Sequence, residues 1–560
     1  MSNLLECFYW FSCHWEAVVH GYLSYFIGWG ICELQCEQIL APKKKEHNMG
    51  DSSRSQKMGL LGAISYIVGN IVGSGIFITP TSIIKEVNSM GLALIIWVIA
   101  ALISMLGSFC YVELGTSIRL SGGDFAYLCY MKWYPAAFAF MCIGCTINYP
   151  ATLAVQAQTF AEYVFQGAGI SLDESSAFWA KKLMGFALIS LLMFMNYFSL
   201  KTFVQRFSIL ASFAKIAATM LIIFTGFYYL IFKGWTDNLK APFNGSNWNP
   251  GSFVNALFAG LFSYDGWDIL NFGMEELENP KKTMPLAIII GMTCIAVIYV
   301  AVNIAYSVVL SVPQLIDSNA VAIDFADRTL GSAAFVMPVM VAILLVGSLN
   351  STMFSASRYL QAVSRQGYIP SAISGIAPKC DSPRVALLVH ILISIGVSFL
   401  GDPNKLINYV AFAQWSQRAF TMSALLWVRF RKQKLHPDRI QLPIIMPILF
   451  FLICSVMIVI SIIDDFKSSA VGLGILLGGL IIFILFFWGR ALPSVPGYNE
   501  FSNRVDNRTT EFMQIIFNVI PERVGEEEMR HAVGDDSEYS TRSDKVSPIE
   551  LSSSKSFTHM

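Results

Sequence analysis

Four ionisable residues lie in stretches that are otherwise apolar: Lys215 in "SILASFAKIAATMLIIF", Asp265 and Asp268 in "ALFAGLFSYDGWDILNFG", and Arg418 in "AFAQWSQRAFTMSALLW". A charge taken out of water is costly unless it meets an opposite charge or a carbonyl, so each is a functional candidate. Lysine and arginine offer donors alone and carboxylates acceptors alone, which suits them to holding and sorting polar ligands. They do not make a catalytic set. His390 is the sole histidine in the apolar stretches, so no His, Asp and Ser share a depth where hydrolysis could run, and the chain reads as no enzyme.

A second kind of chemistry sits in "IVGNIVGSGIFITP", Ile67 to Pro80, where three glycines, a serine and an asparagine interrupt an apolar run. Where a helix unwinds, freed N–H groups carry partial positive charge and can hold a carboxylate, while freed carbonyls can hold an ammonium. The run containing Asp265 is interrupted in the same way, by Gly260, Gly266 and Gly273. Two interrupted helices at matching positions in two halves of a chain point to a site at the membrane midplane. Facing one another, they would clamp a zwitterionic α-amino acid. The bland alternative is that Gly69, Gly73 and Gly75 merely let helices pack closely.

The elements that must position these residues follow from composition. Of 560 residues, 55% are hydrophobic and 14% charged, with a mean hydropathy of +0.56. The apolar residues form runs long enough to cross a bilayer, and in lipid such runs must be helices because nothing else satisfies the backbone. The spans are 59–84, 91–116, 136–166, 182–200, 206–232, 251–275, 285–311, 332–362, 384–400, 403–428, 441–463 and 468–489, twelve in all. The fold class is an all-α polytopic membrane protein. Lys and Arg are denser in the connecting segments on one side, so the positive-inside rule puts both termini in the cytosol. The sequon Asn244-Gly245-Ser246 then faces outward as a candidate glycosylation site.

Three parts are expected: a cytosolic N-terminal extension 1–57, a transporter domain 58–490 and a cytosolic tail 491–560. The aromatic stretch near the N-terminus reads as an interfacial helix or a weakly ordered extension rather than a thirteenth span. The tail is largely of disordered composition and ends Thr558-His559-Met560, a PDZ-ligand-like sequence that sets a bland tail against capture by a PDZ-domain protein. No nucleic-acid patch is visible, no disulfide framework is expected among the eleven cysteines, and Cys142 and Cys145 read as two packed thiols rather than a metal pair. No metal and no cofactor are expected.

The motifs "IVGSGIFITP", "CYVELGT" followed by "SGGDFAYL", "LFSYDGWDILNFGMEELENPKKTMPLAI" and "SASRYLQAVSRQGYIP" occur in order. Together they resemble the light chains of the L-type amino acid transporters, in the amino acid, polyamine and organocation superfamily. The resemblance covers roughly Met58 to Arg490. It implies a LeuT-type fold of two inverted five-helix repeats plus two helices, with the first and sixth helices broken. It also implies sodium-independent amino acid exchange by alternating access at the plasma membrane. Position by position, it puts Gly73, Ser74 and Gly75 at the substrate carboxylate, and Ile71, Phe262 and Asp265 at its amino group through their carbonyls. Phe262 matches the gate over bound substrate, Trp267 lines the same region, and Gln414 with Trp415 stands near the substrate side chain. Lys215 matches the lysine that takes the place of sodium in sodium-independent relatives.

Two departures from the pattern matter. Relatives that accept cationic as well as neutral amino acids carry an acidic residue at the position of Asp265, whereas Arg418 stands where relatives have an apolar residue. A free Asp265 would favour cationic side chains; an Arg418 paired with Asp265 or Asp268 would reject them, and both outcomes stand open. The light chains join a heavy chain through a cysteine in the outer loop after the third span. Here that loop, "FQGAGISLDESSAFWAKK", has none, so no disulfide-linked heavy chain is expected. The principal reading is an exchanger for neutral amino acids, with cationic ones left open; the alternative is an amino acid sensor with little net transport.

Overall fold

The computed structural model describes residues 59–521 except 119–122, 171–172, 199–200, 273–276, 278–279, 366, 378–381, 432–438 and 488–490. The N-terminal extension 1–57 and the terminal Thr558, His559 and Met560 lie outside the described residues.

Among the described residues the chain is largely helical, and Ile376 and Ile520 form an isolated antiparallel bridge. In chain order the helices are α1 (Leu60–Ile71), α2 (Gly75–Val87), α3 (Met90–Ser117) and α4 (Gly123–Tyr130). After them come α5 (Tyr134–Gly167), α6 (Glu174–Tyr197), α7 (Lys201–Ile231), α8 (Pro250–Ser263), α9 (Ile269–Phe272) and α10 (Pro280–Val309). The series continues with α11 (Val312–Asp317), α12 (Val321–Thr329), α13 (Val336–Arg365) and α14 (Arg384–Val397). It closes with α15 (Pro403–Arg431), α16 (Ile445–Asp464), α17 (Phe466–Phe486) and α18 (Tyr498–Phe517).

Among the described residues eight helices are long and apolar enough to cross a bilayer: α3, α5, α6, α7, α10, α13, α16 and α17. The pair α1 and α2, bent by 52°, makes a ninth if it is one span. The chain is therefore a multi-pass membrane protein. The stretches expected at 251–275, 384–400 and 403–428 hold the interrupted pair α8 and α9, the shorter apolar α14, and α15 with Arg418 inside it.

The interruptions have local causes. Val72 leaves helical geometry, with φ −68° and ψ 88°, and residues 72–74 form a bend before Gly75 starts α2. In the second case α8 opens on Pro250, its first turn capped by Asn249, whose side chain accepts a hydrogen bond from Gly251 N at 2.9 Å. It ends at Ser263, and Gly266 at φ +98° turns the chain in a conformation that only glycine adopts freely. In α5 the α-helix widens to a π-turn at Gly144–Asn148, where one residue is added to a helical turn.

Packing sets the two breaks against each other. α2 lies beside α8 and α1 beside α9, so the half before one break meets the half after the other. A Cβ on Gly75 would stand 2.7 Å from Ser263 Cα, and one on Gly266 would overlap Asn70 Nδ2. Both glycines are thus required by close approach of one broken helix to the other. Behind the breaks, Trp97 is buried edge to face with Tyr264 and Tyr299, which are tilted against each other, and the ring centres are 4.9 to 6.0 Å apart.

At another level α3 and α15 are joined by a buried ion pair. Arg429 donates through Nε to Glu113 Oε1 at 2.6 Å and through Nη2 to Oε2, and also reaches the Leu442 carbonyl at 2.7 Å. Leu442 N adds a hydrogen bond to the same carboxylate at 3.3 Å. The paired charges and saturated lone pairs are what make burial of this carboxylate tolerable.

Candidate functional site

The site is built on the two breaks. Tyr299, from α10, bridges them: its hydroxyl lies 2.9 Å from the Ile71 carbonyl and 3.0 Å from that of Ser263, sharing one proton between the ends of α1 and α8. Asn70 Nδ2 donates to the Gly266 carbonyl at 3.0 Å, and Thr79 and Ser263 share a hydrogen bond of 2.6 Å. The broken segments are therefore fixed to each other, and little reorganisation is left for a ligand to impose.

Lys215, on α7, donates from Nζ to the Gly69 carbonyl at 2.9 Å and the Val72 carbonyl at 2.7 Å. These are carbonyls at the unwinding end of α1, which have lost their helical partners. One ammonium supplies two donors and a positive charge at the point where the helix dipole ends.

Ser74 is buried at the break. Its hydroxyl stands 3.4 Å from both Gln156 Nε2, on α5, and Ser348 Oγ, on α13, and the latter two are 3.2 Å apart. Gly73 and Gly75 flank it. Gly73 lies in the bend and presents its α-carbon toward Ile71 O and Ser348 Oγ, whereas Gly75 is held against Ser263. Phe262, at the end of α8, packs half-buried on a cluster from α5, α14 and α15 that includes Ala151, Val155, Ile407 and Val410.

At the second break the acidic pair divides. Asp265 accepts from Arg418 Nη2 at 2.7 Å on Oδ1 and from Gln414 Nε2 at 3.1 Å on Oδ2. Its side chain remains 36% exposed, while that of Arg418 is 5% exposed. The guanidinium lies 4.7 Å from the Trp267 ring and 4.8 Å from that of Trp415, a cation held over two aromatic faces. Trp267 is buried at 1%, edge-on to Tyr111 on α3 and Phe450 on α16. Its ring therefore backs the arginine. The Asp268 main-chain carbonyl closes the turn, receiving Asn271 N at 2.9 Å and Asn271 Nδ2 at 3.2 Å.

Of the residues picked out by sequence, the structure brings Ile71, Gly73, Ser74, Gly75, Phe262, Asp265 and Gln414 around the two breaks, with Lys215 behind α1. Asn244 lies apart, in the loop before α8, where Asn244 N bonds the Ala241 carbonyl at 3.1 Å. Among the described residues no cluster of His, Cys, Asp and Glu is arranged to hold a metal ion. Among the contributors missed are Tyr299, Gln156, Ser348, Thr79 and Ser263. Tyr299 had a signal, since Tyr299, Asn303, Tyr306 and Ser307 recur at helical spacing and mark one polar face of an apolar run.

Comparison with known proteins bears on this arrangement. The profile of the family described as "Amino acid permease" matches residues 58–488. "Amino acid transporter protein 6" of Caenorhabditis elegans is 82% identical over 487 residues, covering 87% of this chain and 93% of that protein. The human cystine/glutamate transporter is 32% identical over 467 residues, 83% of this chain and 91% of its own length. The mouse b(0,+)-type amino acid transporter 1 is 32% identical over 473 residues, 84% and 94% of the two chains.

Proposed function

The chain belongs to the amino acid permease family, and on that premise we propose that it exchanges neutral α-amino acids across the plasma membrane without sodium. The proposed architecture is a LeuT-type core of two inverted five-helix repeats with two further helices, twelve spans in all and both termini cytosolic. The observation that carries the reading is the pair of facing interruptions, tied together by Tyr299 and by the contact of Asn70 with Gly266.

In this reading the substrate carboxylate docks on the N–H groups of Gly73, Ser74 and Gly75, aided by the Ser74 hydroxyl and the positive end of α2. The ammonium docks on the carbonyls of Ile71, Phe262 and Asp265, and Phe262 closes over the bound molecule. Lys215 does the work of a sodium ion, holding the Gly69 and Val72 carbonyls with an ammonium tethered to the chain. Rocking one bundle against the other around this fixed site would give alternating access.

The neutral preference rests on Asp265. Both its oxygens already have donors, and a fixed guanidinium neutralises it, so a lysine- or arginine-like side chain would meet no free carboxylate there. We further propose that no disulfide-linked heavy chain is needed, that Asn244 faces outward, and that the tail offers its last residues to a PDZ-domain protein.

The experiment is uptake of labelled leucine and arginine into liposomes containing the full chain alone, with and without sodium and with and without internal amino acid. Leucine uptake that needs internal amino acid and ignores sodium, with no arginine uptake, is the expected result. Arginine uptake equal to leucine would overturn the neutral preference, and uptake into empty liposomes would overturn obligatory exchange.

A further inference from the structure

α18 lies beyond the last apolar helix and is held at both ends. Only residues 487–497 separate it from the end of α17. At its far end Arg384, the first residue of α14, donates to the Phe517 carbonyl at 2.8 Å, and Ile520 pairs with Ile376 through bonds of 2.9 and 2.8 Å. Midway, Asp506 Oδ1 accepts from Ser371 N at 2.8 Å. The helix is thus pinned between the ends of two apolar helices, which fixes it at the level where they leave the membrane.

Its sides differ in kind. Ser502, Asp506, Thr510, Met513 and Phe517 recur every three or four residues and face the protein, with Thr510 buried. The adjacent side carries Phe501, Val505, Phe512, Ile515 and Ile516 at the same spacing, and these are open, Ile515 at 82% and Phe501 at 64% exposure. A third side is polar, with Glu500, Asn503, Arg504, Asn507 and Glu511. Arg508 falls within the apolar stripe, between Ile515 and Phe501, and Arg504 stands at its edge.

We propose that the apolar side of α18 lies in the headgroup and acyl boundary of the cytosolic leaflet, with Arg504 and Arg508 on lipid phosphates. Three sides with three surroundings (protein, lipid and water) are what a helix needs when it lies along a membrane surface against the body of the protein. α17, which precedes it in the chain, likewise leaves Ile481, Ile482 and Phe486 exposed. Arginines beside such a stripe bury their methylene stems and send the guanidinium to the phosphate level. The cytosolic assignment rests on the topology proposed above, whereas the lipid contact depends on the geometry of α18 alone.

The test uses the full-length chain in lipid nanodiscs, with the photoreactive p-benzoylphenylalanine placed at Phe512 in one sample and at Asn507 in another. Lipid adducts at position 512 that are lost at position 507 are expected by mass spectrometry. Adducts at 512 to a second copy of the chain, or to its segments 1–58 or 522–560, would overturn the proposal, as would equal labelling at both positions. A second readout leaves the apolar side chains intact. Amide hydrogen exchange across α18 is expected to slow in nanodiscs containing anionic lipid relative to neutral lipid, and Arg504→Gln with Arg508→Gln to abolish that slowing. Equal exchange in both lipids overturns the phosphate contact. Neither readout requires transport, so a failure here leaves the exchange reading where it stands.

Discussion

Arg418 and Asp265 meet 2.7 Å apart although 153 positions separate them in sequence. With Gln414 on the other oxygen, the carboxylate of the second broken helix is gripped from both sides by α15. Cation over two tryptophan faces and ion pair together account for an arginine at membrane depth.

Arg418→Leu is therefore expected to strand Asp265 and destabilise the purified protein, by less than the about 3–5 kcal/mol of a fully buried pair because the Asp265 side chain is 36% exposed to water. Asp265→Asn combined with Arg418→Leu is expected to recover part of that loss. Thermal midpoints of the single and double variants check this; a double variant as unstable as the sum of the singles would show that the two residues act separately.

Lys215→Met keeps the length of the side chain and removes the donors to the Gly69 and Val72 carbonyls. Hydrogen bonds to a charged group are worth about 1.5–3 kcal/mol each, so loss of one such contact already predicts more than tenfold slower exchange. Flux in proteoliposomes measures it, and sodium is expected not to restore it, because the variant leaves two carbonyls without a carboxylate beside them.

Tyr299→Phe deletes one hydroxyl and almost no volume. The expected cost is about 1–2 kcal/mol, with the Ile71 and Ser263 carbonyls both losing their shared donor. Leucine binding by the purified protein is expected to weaken along with stability, since the loosened breaks would have to be ordered again by each substrate. Unchanged binding together with reduced stability would make Tyr299 a packing residue alone.

Gly75→Ala and Gly266→Ala are both expected to abolish exchange, the first because its Cβ would stand 2.7 Å from Ser263 Cα. The second combines overlap with Asn70 and a φ of +98°. Gly69→Ala is the control. Nothing lies within 4 Å of a Cβ at that position, and alanine there is expected to preserve flux.

The interruptions were legible in the sequence because glycine in an apolar run is a local signal, and local signals survive without coordinates. The all-helical class was legible for a similar reason, since a run of apolar residues in lipid has few other forms. The partners of Arg418 were not legible. A guanidinium advertises that it needs a carboxylate, yet which of Asp265 and Asp268 it finds depends on the rotation of α15 and on Gly266. Gln156 and Ser348 were hidden too, as single polar residues in long helices carry no mark of the neighbour they face. The helical part of the tail was obscured by its polar average, because α18 intersperses its apolar residues with polar ones along the chain.

Arg418 and Arg429 belong to one uninterrupted helix, eleven positions apart by number. That is three turns, so they project from nearly the same side of α15, about 16 Å apart along its axis. One holds Asp265 at the broken helix and the other holds Glu113 at the end of α3. α15 therefore acts as a ruler laid between two carboxylates. It sets the height of the second break relative to α3 by counting backbone turns, and the break can slide along the membrane normal past α3 only by opening one of the two ion pairs.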